Sequence, residues 1–143
     1  MSKLALYIGI AVTVTFTHFA SAGTIFSCDT SNNKKIEVQD LNHHIEYRFG
    51  RNLESPELTL SVIRDQASTW QWQGVGRHMN YSVTMPNGNT NYTVFFSVDR
   101  GSDEYPVTSG VIIEVNNKVI ATVDCISDTL IQLLEGINLK ATN

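Results

Sequence analysis

The residues of this 143-residue chain that could act as acids, bases or metal ligands are scattered. His43 and His44 are adjacent, and adjacent side chains of a strand point to opposite faces, so these two histidines are poorly placed to bind one metal ion. The acidic pairs Asp103-Glu104 and Glu54/Glu57 could supply the two carboxylates of a glycosidase, but carboxylates of an acidic protein usually belong to the solvated surface. We therefore expect no metal ion, no cofactor and no catalytic residue.

Motifs of the common enzyme classes are also missing from the sequence. It contains no Gly-x-Ser-x-Gly elbow, no His-Glu-x-x-His helix, no Walker loop and no EF-hand loop. The pair Gly74-Val75-Gly76 lacks the third glycine of a dinucleotide-binding turn and is better explained as a turn or bulge. A non-enzymatic protein is the favoured reading, and a small glycan or peptide hydrolase is the least favoured alternative.

Two stretches are candidates for binding. Trp70 and Trp72 are predicted to share one face of a strand, with Arg77 a few residues later. Such a pair either packs in the core or, if partly exposed, anchors a protein or a sugar ring. The second stretch is the polar connection from Arg100 to Gly110, which contains Tyr105 and is either a binding loop or a solvated link.

The first 22 residues have the pattern of a secretory signal peptide. Lys3 precedes an uncharged apolar run from Leu4 to Phe16, and Ala20-Ser21-Ala22 supplies the small residues of a cleavage site. We expect cleavage after Ala22, a single domain over residues 23–143, and a periplasmic or secreted bacterial protein with no transmembrane segment. Cleavage removes one basic residue and no acid, which leaves 9 basic and 14 acidic residues and a net charge of −5. An acidic protein of this kind is not expected to bind nucleic acid.

The two cysteines, Cys28 and Cys125, lie near the two ends of the predicted domain. Proteins exported to an oxidising compartment form disulfides, and these residues lack the Cys-x-x-Cys spacing of a redox pair. We expect one structural disulfide.

From residue 24 onward the hydrophobic pattern is that of strands. Ile45, Tyr47 and Phe49 alternate with polar residues, and Asn87-Gly88 predicts a two-residue hairpin turn. That hairpin would place Met79, Tyr81, Val83 and Met85 on the same face as Tyr92, Val94 and Phe96. A second hairpin is predicted around Asn116-Asn117, with a three-residue loop ending at Lys118 that pairs Val115 with Val119, Ile113 with Ala121 and Val111 with Val123.

After Cys125 the pattern changes to that of a short helix. Ser127 could cap a helix from Asp128 to Glu135, and Gly136 could end it. The predicted fold is mainly β: an antiparallel sandwich or small barrel of seven to eight strands, with this short C-terminal helix packed on it.

A resemblance rests on four short motifs, which are Phe26-Ser27-Cys28, Ile45–Gly50, Gly110-Val111-Ile112 and Ala121–Cys125. Their order resembles that of small exported bacterial β-proteins of unassigned role and, more loosely, the periplasmic lysozyme inhibitors. Those inhibitors insert a Ser-Gly pair, followed by a Tyr, into the cleft of the enzyme. Ser109-Gly110 matches the pair, and Val111 to Ile113 stand where the Tyr would follow.

The resemblance implies a protein partner. The expected function is a non-enzymatic binding protein, an inhibitor of lysozyme or of another cell-wall hydrolase, or an immunity-like protein. An acidic body would be attracted to a basic lysozyme. The alternative is an accessory subunit of an envelope complex.

Overall fold

The computed structural model describes residues 22–142, which form two antiparallel-rich sheets and contain no α-helix. The expected signal peptide lies outside the described residues except for Ala22. Nine strands have four or more residues and two have only two. They are β1 Gly23–Asp29, β2 Lys35–Asp40, β3 His44–Gly50, β4 Leu58–Ile63, β5 Ser68–Gln71, β6 His78–Asn87, β7 Thr90–Asp99, β8 Val107–Val115, β9 Lys118–Asp124, β10 Ile131–Gln132 and β11 Lys140–Ala141. No helix among residues 22–142 has the length and apolar character needed to cross a bilayer.

The strands are arranged in sheets of five and six. The first sheet has the order β10-β1-β2-β3-β4, and the second has the order β11-β5-β6-β7-β8-β9. Strands make up most of residues 22–142, so the mainly β prediction is confirmed, although these residues form eleven strands and not the seven to eight expected. Neither sheet closes on itself among these residues, which is consistent with a sandwich rather than a closed barrel.

The core lies between the two sheets, because buried residues from both belong to one cluster. Rings also meet across the interface, since the centroids of Tyr47 and Tyr92 are 5.5 Å apart. Burial, and secondly the neighbouring Tyr92, raise the pKa of Tyr47 above its usual range. The alternation predicted for β3 is confirmed by burial of Ile45 and Tyr47. The first sheet contributes Phe26, Ile36, Val38, Ile45 and Tyr47, and the second contributes Tyr81, Val83, Met85, Val94 and Val111.

The hairpin of β6 and β7 has the predicted faces but not the predicted turn. Asn87 pairs with Thr90, so the two turn residues are Gly88 and Asn89, one position later than expected. Only Gly88 has a positive φ, of 63°, as in a II′ turn with glycine first. Moving the turn by one residue moves each partner by two, and a shift of two keeps every side chain on its face.

The hairpin of β8 and β9 has a two-residue turn, and the predicted three-residue loop is wrong. Asn116 and Asn117 both have positive φ, and Val115 pairs with Lys118. A bulge between Ile113 and Glu114 then restores the expected pairings farther along the strands, which are Ile113 with Ala121 and Val111 with Val123.

The predicted C-terminal helix is wrong. Ser127–Thr129 form one 3-10 turn, and β10 then pairs with β1 as an edge strand. The N–H of Leu133 donates to the carbonyl oxygen of Ile25 at 2.8 Å. The segment covers the open edge of β1, and those inter-strand hydrogen bonds replace the ones that a helix would make within itself.

A disulfide joins Cys28 to Cys125, as predicted from the sequence. Cys28 lies in β1 of the first sheet, and Cys125 directly follows β9 of the second sheet. The bond therefore links the two sheets, near the C-terminal end of β1 and directly after the C-terminal end of β9.

Candidate functional site

The middle of the outer face of the second sheet is uncharged across four neighbouring strands, and three acidic residues of the same face border it: Asp99, Glu114 and Asp124. The register of β5, β6, β7 and β8 aligns its side chains in three cross-strand rows, because residues directly opposite each other share a face. We call these eleven positions the hydroxyl face, since six of them are Ser or Thr. The rows are Ser68, Thr84, Thr93 and Ile112; Trp70, Ser82, Phe95 and Gly110; and Asn80, Ser97 and Thr108.

The outer face of the first sheet has a different composition. Glu37 and Arg48 lie opposite each other there and form an ion pair, and Glu46 lies 3.6 Å from the Arg48 guanidinium. Charged outer faces of this kind are normal for folded proteins. Recognition surfaces, by contrast, are depleted of charged residues at their centre and enriched in aromatic residues.

Trp70 is the most prominent residue of the hydroxyl face. It lies on β5, and 49% of its surface is exposed. Its indole N–H donates to the Oδ1 atom of Asn80 at 2.8 Å, which fixes the ring along the surface of the sheet. With that oxygen engaged, the amide N–H groups of Asn80 are available as donors.

A shallow depression of about 240 Å³ lies beside Trp70. Ser82 stands between Trp70 on one side and Phe95 on the other, in the same cross-strand row. Gly110 follows Phe95 in that row, and a Cβ there would collide with the carbonyl oxygen of Val123. The lining of the depression includes Trp70, Asn80, Ser82, Thr93, Phe95, Ser97 and Ile112.

Trp72 does not share the face of Trp70, contrary to the sequence prediction. β5 ends at Gln71, and the chain turns away through Gly74 and Gly76, both of which have positive φ. Trp72 is half-buried and packs against the core cluster. The Arg100 guanidinium also lies 4.7 Å from the centre of its ring, close enough for a cation–π contact.

Arg77 is held in an ion pair. Its Nε and Nη2 atoms donate to the two carboxylate oxygens of Asp99, each at 2.7 Å. This contact, followed by a hydrogen bond from the N–H of Gly101, lowers the pKa of Asp99 to about 2. The pair joins the start of β6 to the end of β7 and fixes the beginning of the next connection.

A pH-dependent contribution to stability follows from this pair. A carboxyl group with a pKa near 2 in the folded state and ~3.9 in the unfolded state stabilises the protein above about pH 4 and loses that effect between about pH 4 and pH 2. We expect Asp99→Asn to flatten the fall of the melting temperature over this interval, measured by circular dichroism from pH 2 to pH 6. Arg77→Gln should flatten it in the same way, and parallel curves for wild type and both variants would contradict the assignment.

Ser109 and Gly110 lie inside β8 and not in a loop. Ser109 is only 4% exposed and Gly110 is buried. The side chain of Ser109 is on the inner face, opposite Phe96, and its Oγ atom has no hydrogen-bond partner among residues 22–142. In this conformation the Ser109 hydroxyl is not at the surface, where an enzyme's cleft could receive it.

Replacing Ser109 with alanine should stabilise the protein. A buried hydroxyl without a partner carries a desolvation cost of ~1–3 kcal/mol, and alanine fits the same space without that cost. We expect Ser109→Ala to raise the free energy of unfolding by about 1 kcal/mol in urea titrations. Thr108→Ala, at the exposed neighbouring position, should change it by less than about 0.5 kcal/mol. A loss of stability in Ser109→Ala would mean that the hydroxyl is bonded.

Tyr105 is exposed in the connection between β7 and β8. Because β8 begins at Val107, this connection is shorter than the predicted stretch from Arg100 to Gly110. Tyr105 is 59% exposed and has a φ of 46°. The structure brings Trp72, Arg77 and Arg100 together at this end of the second sheet, whereas Trp70 lies on the hydroxyl face and Ser109 lies in the core.

A larger depression, of about 440 Å³, lies between Arg64 and the C-terminal segment. The Arg64 guanidinium is already bonded to Asp40 and to the carbonyl oxygens of Asn42 and Asn138. It ties the end of β2 and the turn after it to the C-terminal segment. His43 and His44 are exposed beside it, and over residues 22–142 no three His, Cys, Asp or Glu side chains are grouped as metal ligands would be.

The sequence analysis missed Asn80, Ser82 and Phe95 as candidate site residues. One signal was present, since Phe95 interrupts the polar face of the hairpin that contains Ser82 and Thr93. The sequence does not show that β5 pairs with β6, and this pairing places Trp70 beside Ser82 and its neighbours.

Comparison of the chain with protein-family models, with curated proteins and with solved structures finds no match.

Proposed function

We propose that this chain is a non-enzymatic binding protein that contacts its ligand with the hydroxyl face around Trp70. The observation that carries the proposal is the half-exposed Trp70 at one side of an uncharged surface, while the other sheet has a charged outer face. Large aromatic residues in such positions supply much of the binding energy of recognition surfaces.

Glu57 and Asp99 are suited to ion pairs rather than to acid catalysis. The pKa values of Glu57 and Asp99 are both lowered, each mainly by a hydrogen bond from a basic partner. A general acid needs a raised pKa, which burial would provide, and both of these groups lie at the surface.

Export to the periplasm or the exterior is part of the proposal. The disulfide between Cys28 and Cys125 supports it, because such bonds persist in oxidising compartments. The partner would be an envelope component bound at the hydroxyl face, whereas the net charge of −5 over residues 23–143 would attract a basic cell-wall hydrolase to the acidic surface outside that face.

The binding proposal is tested with immobilised protein as bait for envelope extracts of the producing organism. We expect a ligand that the wild type retains and Trp70→Ala retains at least about tenfold less. Ile63→Ala is the matched control, because Ile63 is an exposed large apolar residue of the other sheet. Equal retention by all three proteins would contradict the proposal.

The proposal that this protein inhibits a muramidase has a separate test, in which residues 23–143 are assayed at micromolar concentration against a panel of muramidases. Inhibition that Ser109→Ala leaves unchanged would support an inhibitor that uses a surface other than Ser109. Absence of inhibition would reject only the proposal of a muramidase inhibitor. The broader binding proposal would stand, because the extract experiment does not depend on muramidases.

A further inference from the structure

The depression on the hydroxyl face has the width of a single ring between two aromatic walls. Trp70 and Phe95 are separated by one strand, on which Ser82 forms a short floor. Neighbouring strands lie ~4.8 Å apart, so the backbones at the two walls are about 9–10 Å apart. The depression is open and measures about 240 Å³, which is below the ~300–1,000 Å³ of pockets that enclose drug-sized ligands.

The groups around this depression combine an apolar surface with neutral hydrogen-bonding groups. The Trp70 indole is fixed by Asn80 and offers one face of its ring, whose negative charge density attracts the slightly positive C–H groups of a ligand. The floor and margins supply hydroxyl groups that both donate and accept hydrogen bonds, and the Asn80 amide adds donors. The hydroxyls belong to Ser82, Thr93 and Ser97.

The absence of charge on the face narrows the ligand chemistry further. None of the eleven positions of the hydroxyl face is Lys, Arg, Asp or Glu, and the residues that border it on the same face, Asp99, Glu114 and Asp124, are acidic. A phosphate or a carboxylate would therefore lose hydration there without gaining a partner. A purely apolar ligand would bury the Ser and Thr hydroxyls without hydrogen bonds.

We infer that the ligand of this face is a neutral glycan, with one sugar ring seated over Ser82 between Trp70 and Phe95. A sugar ring has C–H groups for the indole and hydroxyl groups for the polar side chains, and it carries no charge. Because the depression is open, neighbouring rings of the same glycan would extend across the hydroxyl face toward Thr84 and Thr108. This inference rests on the proposed function, since it assigns the ligand of the same surface.

The experiment titrates the protein with four neutral oligosaccharides: cellohexaose, chitohexaose, maltohexaose and mannohexaose. Binding is measured by isothermal titration calorimetry and by tryptophan fluorescence. The chain has two tryptophans, so Trp72→Phe leaves Trp70 as the single emitter. We expect saturable binding of at least one oligosaccharide and a change in Trp70 emission in Trp72→Phe. Trp70→Ala should weaken binding about tenfold or more, while Ile63→Ala stays within about twofold of wild type.

Three results would overturn the inference. The first is no saturable binding of any oligosaccharide at millimolar concentration, with unchanged Trp70 emission. The second is binding that Trp70→Ala does not weaken. The third is a dimer of the wild type that Trp70→Ala converts to a monomer in analytical ultracentrifugation without glycan binding, which would make a second copy the occupant.

The extract experiment separates this inference from the proposed function. A ligand retained in a Trp70-dependent way, with no binding of the four oligosaccharides, would leave the binding face in place and reject only the glycan. Failure of both experiments would reject both proposals.

Discussion

The variant with alanine at both Cys28 and Cys125 should unfold with a free energy about 2–5 kcal/mol below that of the wild type. The two residues are 97 positions apart, and the bond between them joins the two sheets. A cross-link that closes a loop of ~100 residues is expected to stabilise the folded state by up to ~4.7 kcal/mol, by restricting the unfolded chain. A domain of this size has a total stability of only ~5–15 kcal/mol. Urea unfolding followed by circular dichroism measures the difference.

The reduced wild type is the matched control for this variant. Cys28 is only 2% exposed, so alanine removes some core packing as well as the bond. Wild type unfolded under reducing conditions keeps both sulfur atoms and lacks only the bond, so it isolates the contribution of the cross-link. If the reduced wild type lies within about 1 kcal/mol of the oxidised protein, the disulfide is not a main source of stability.

Replacing Leu134 with alanine should lower the free energy of unfolding by about 2–5 kcal/mol. Leu134 is 0% exposed and belongs to the core cluster, although it lies in a segment without regular secondary structure. The Gln71 side chain holds this segment in place, donating to the carbonyl oxygen of Leu134 and accepting from the N–H of Gly136, both at 2.8 Å. The truncated residue would leave a cavity that this anchored backbone cannot close.

Leu133→Ala is the matched control, because the neighbouring residue has the same chemistry and is 64% exposed. It should change the free energy of unfolding by less than about 0.5 kcal/mol. A helix from Asp128 to Glu135 would place both leucines on one broad apolar face. Similar losses in the two variants would contradict the buried and exposed positions that the structure assigns to them.

The strand faces were predictable because they depend on local alternation. The faces of β6 and β7 came out as expected even though the turn lies at Gly88-Asn89, since a shift of two residues in pairing preserves every face. The C-terminal helix failed for the opposite reason. Leu130 to Leu134 has enough apolar residues for a helical face, but the open edge of β1 offers hydrogen bonds from a distant part of the chain.

The candidate site was predictable only in part. Trp70 was identified from its type and spacing, while the expected partnership with Trp72 failed because β5 ends at Gln71. Ser109 was proposed as a site residue because of the resemblance to lysozyme inhibitors. It is buried because β8 begins at Val107, which places Ser109 inside a strand and not in a loop. The residues beside Trp70 come from β6 and β7, so only the pairing of those strands identifies them.

The amino-acid sequence was sufficient to predict the mainly β class, the disulfide partners and the alternation of buried and exposed residues in the long strands. Each of these depends on local pattern or on composition, because side-chain alternation needs only neighbours along the chain and two cysteines allow one intramolecular bond. The tertiary structure was needed to show that Ser109 is buried and Trp72 half-buried, that the C-terminal segment becomes an edge strand, and that Trp70 stands beside Ser82 and Phe95. Those outcomes depend on which strands pair and where each one starts, and these pairings join residues that are far apart in the chain.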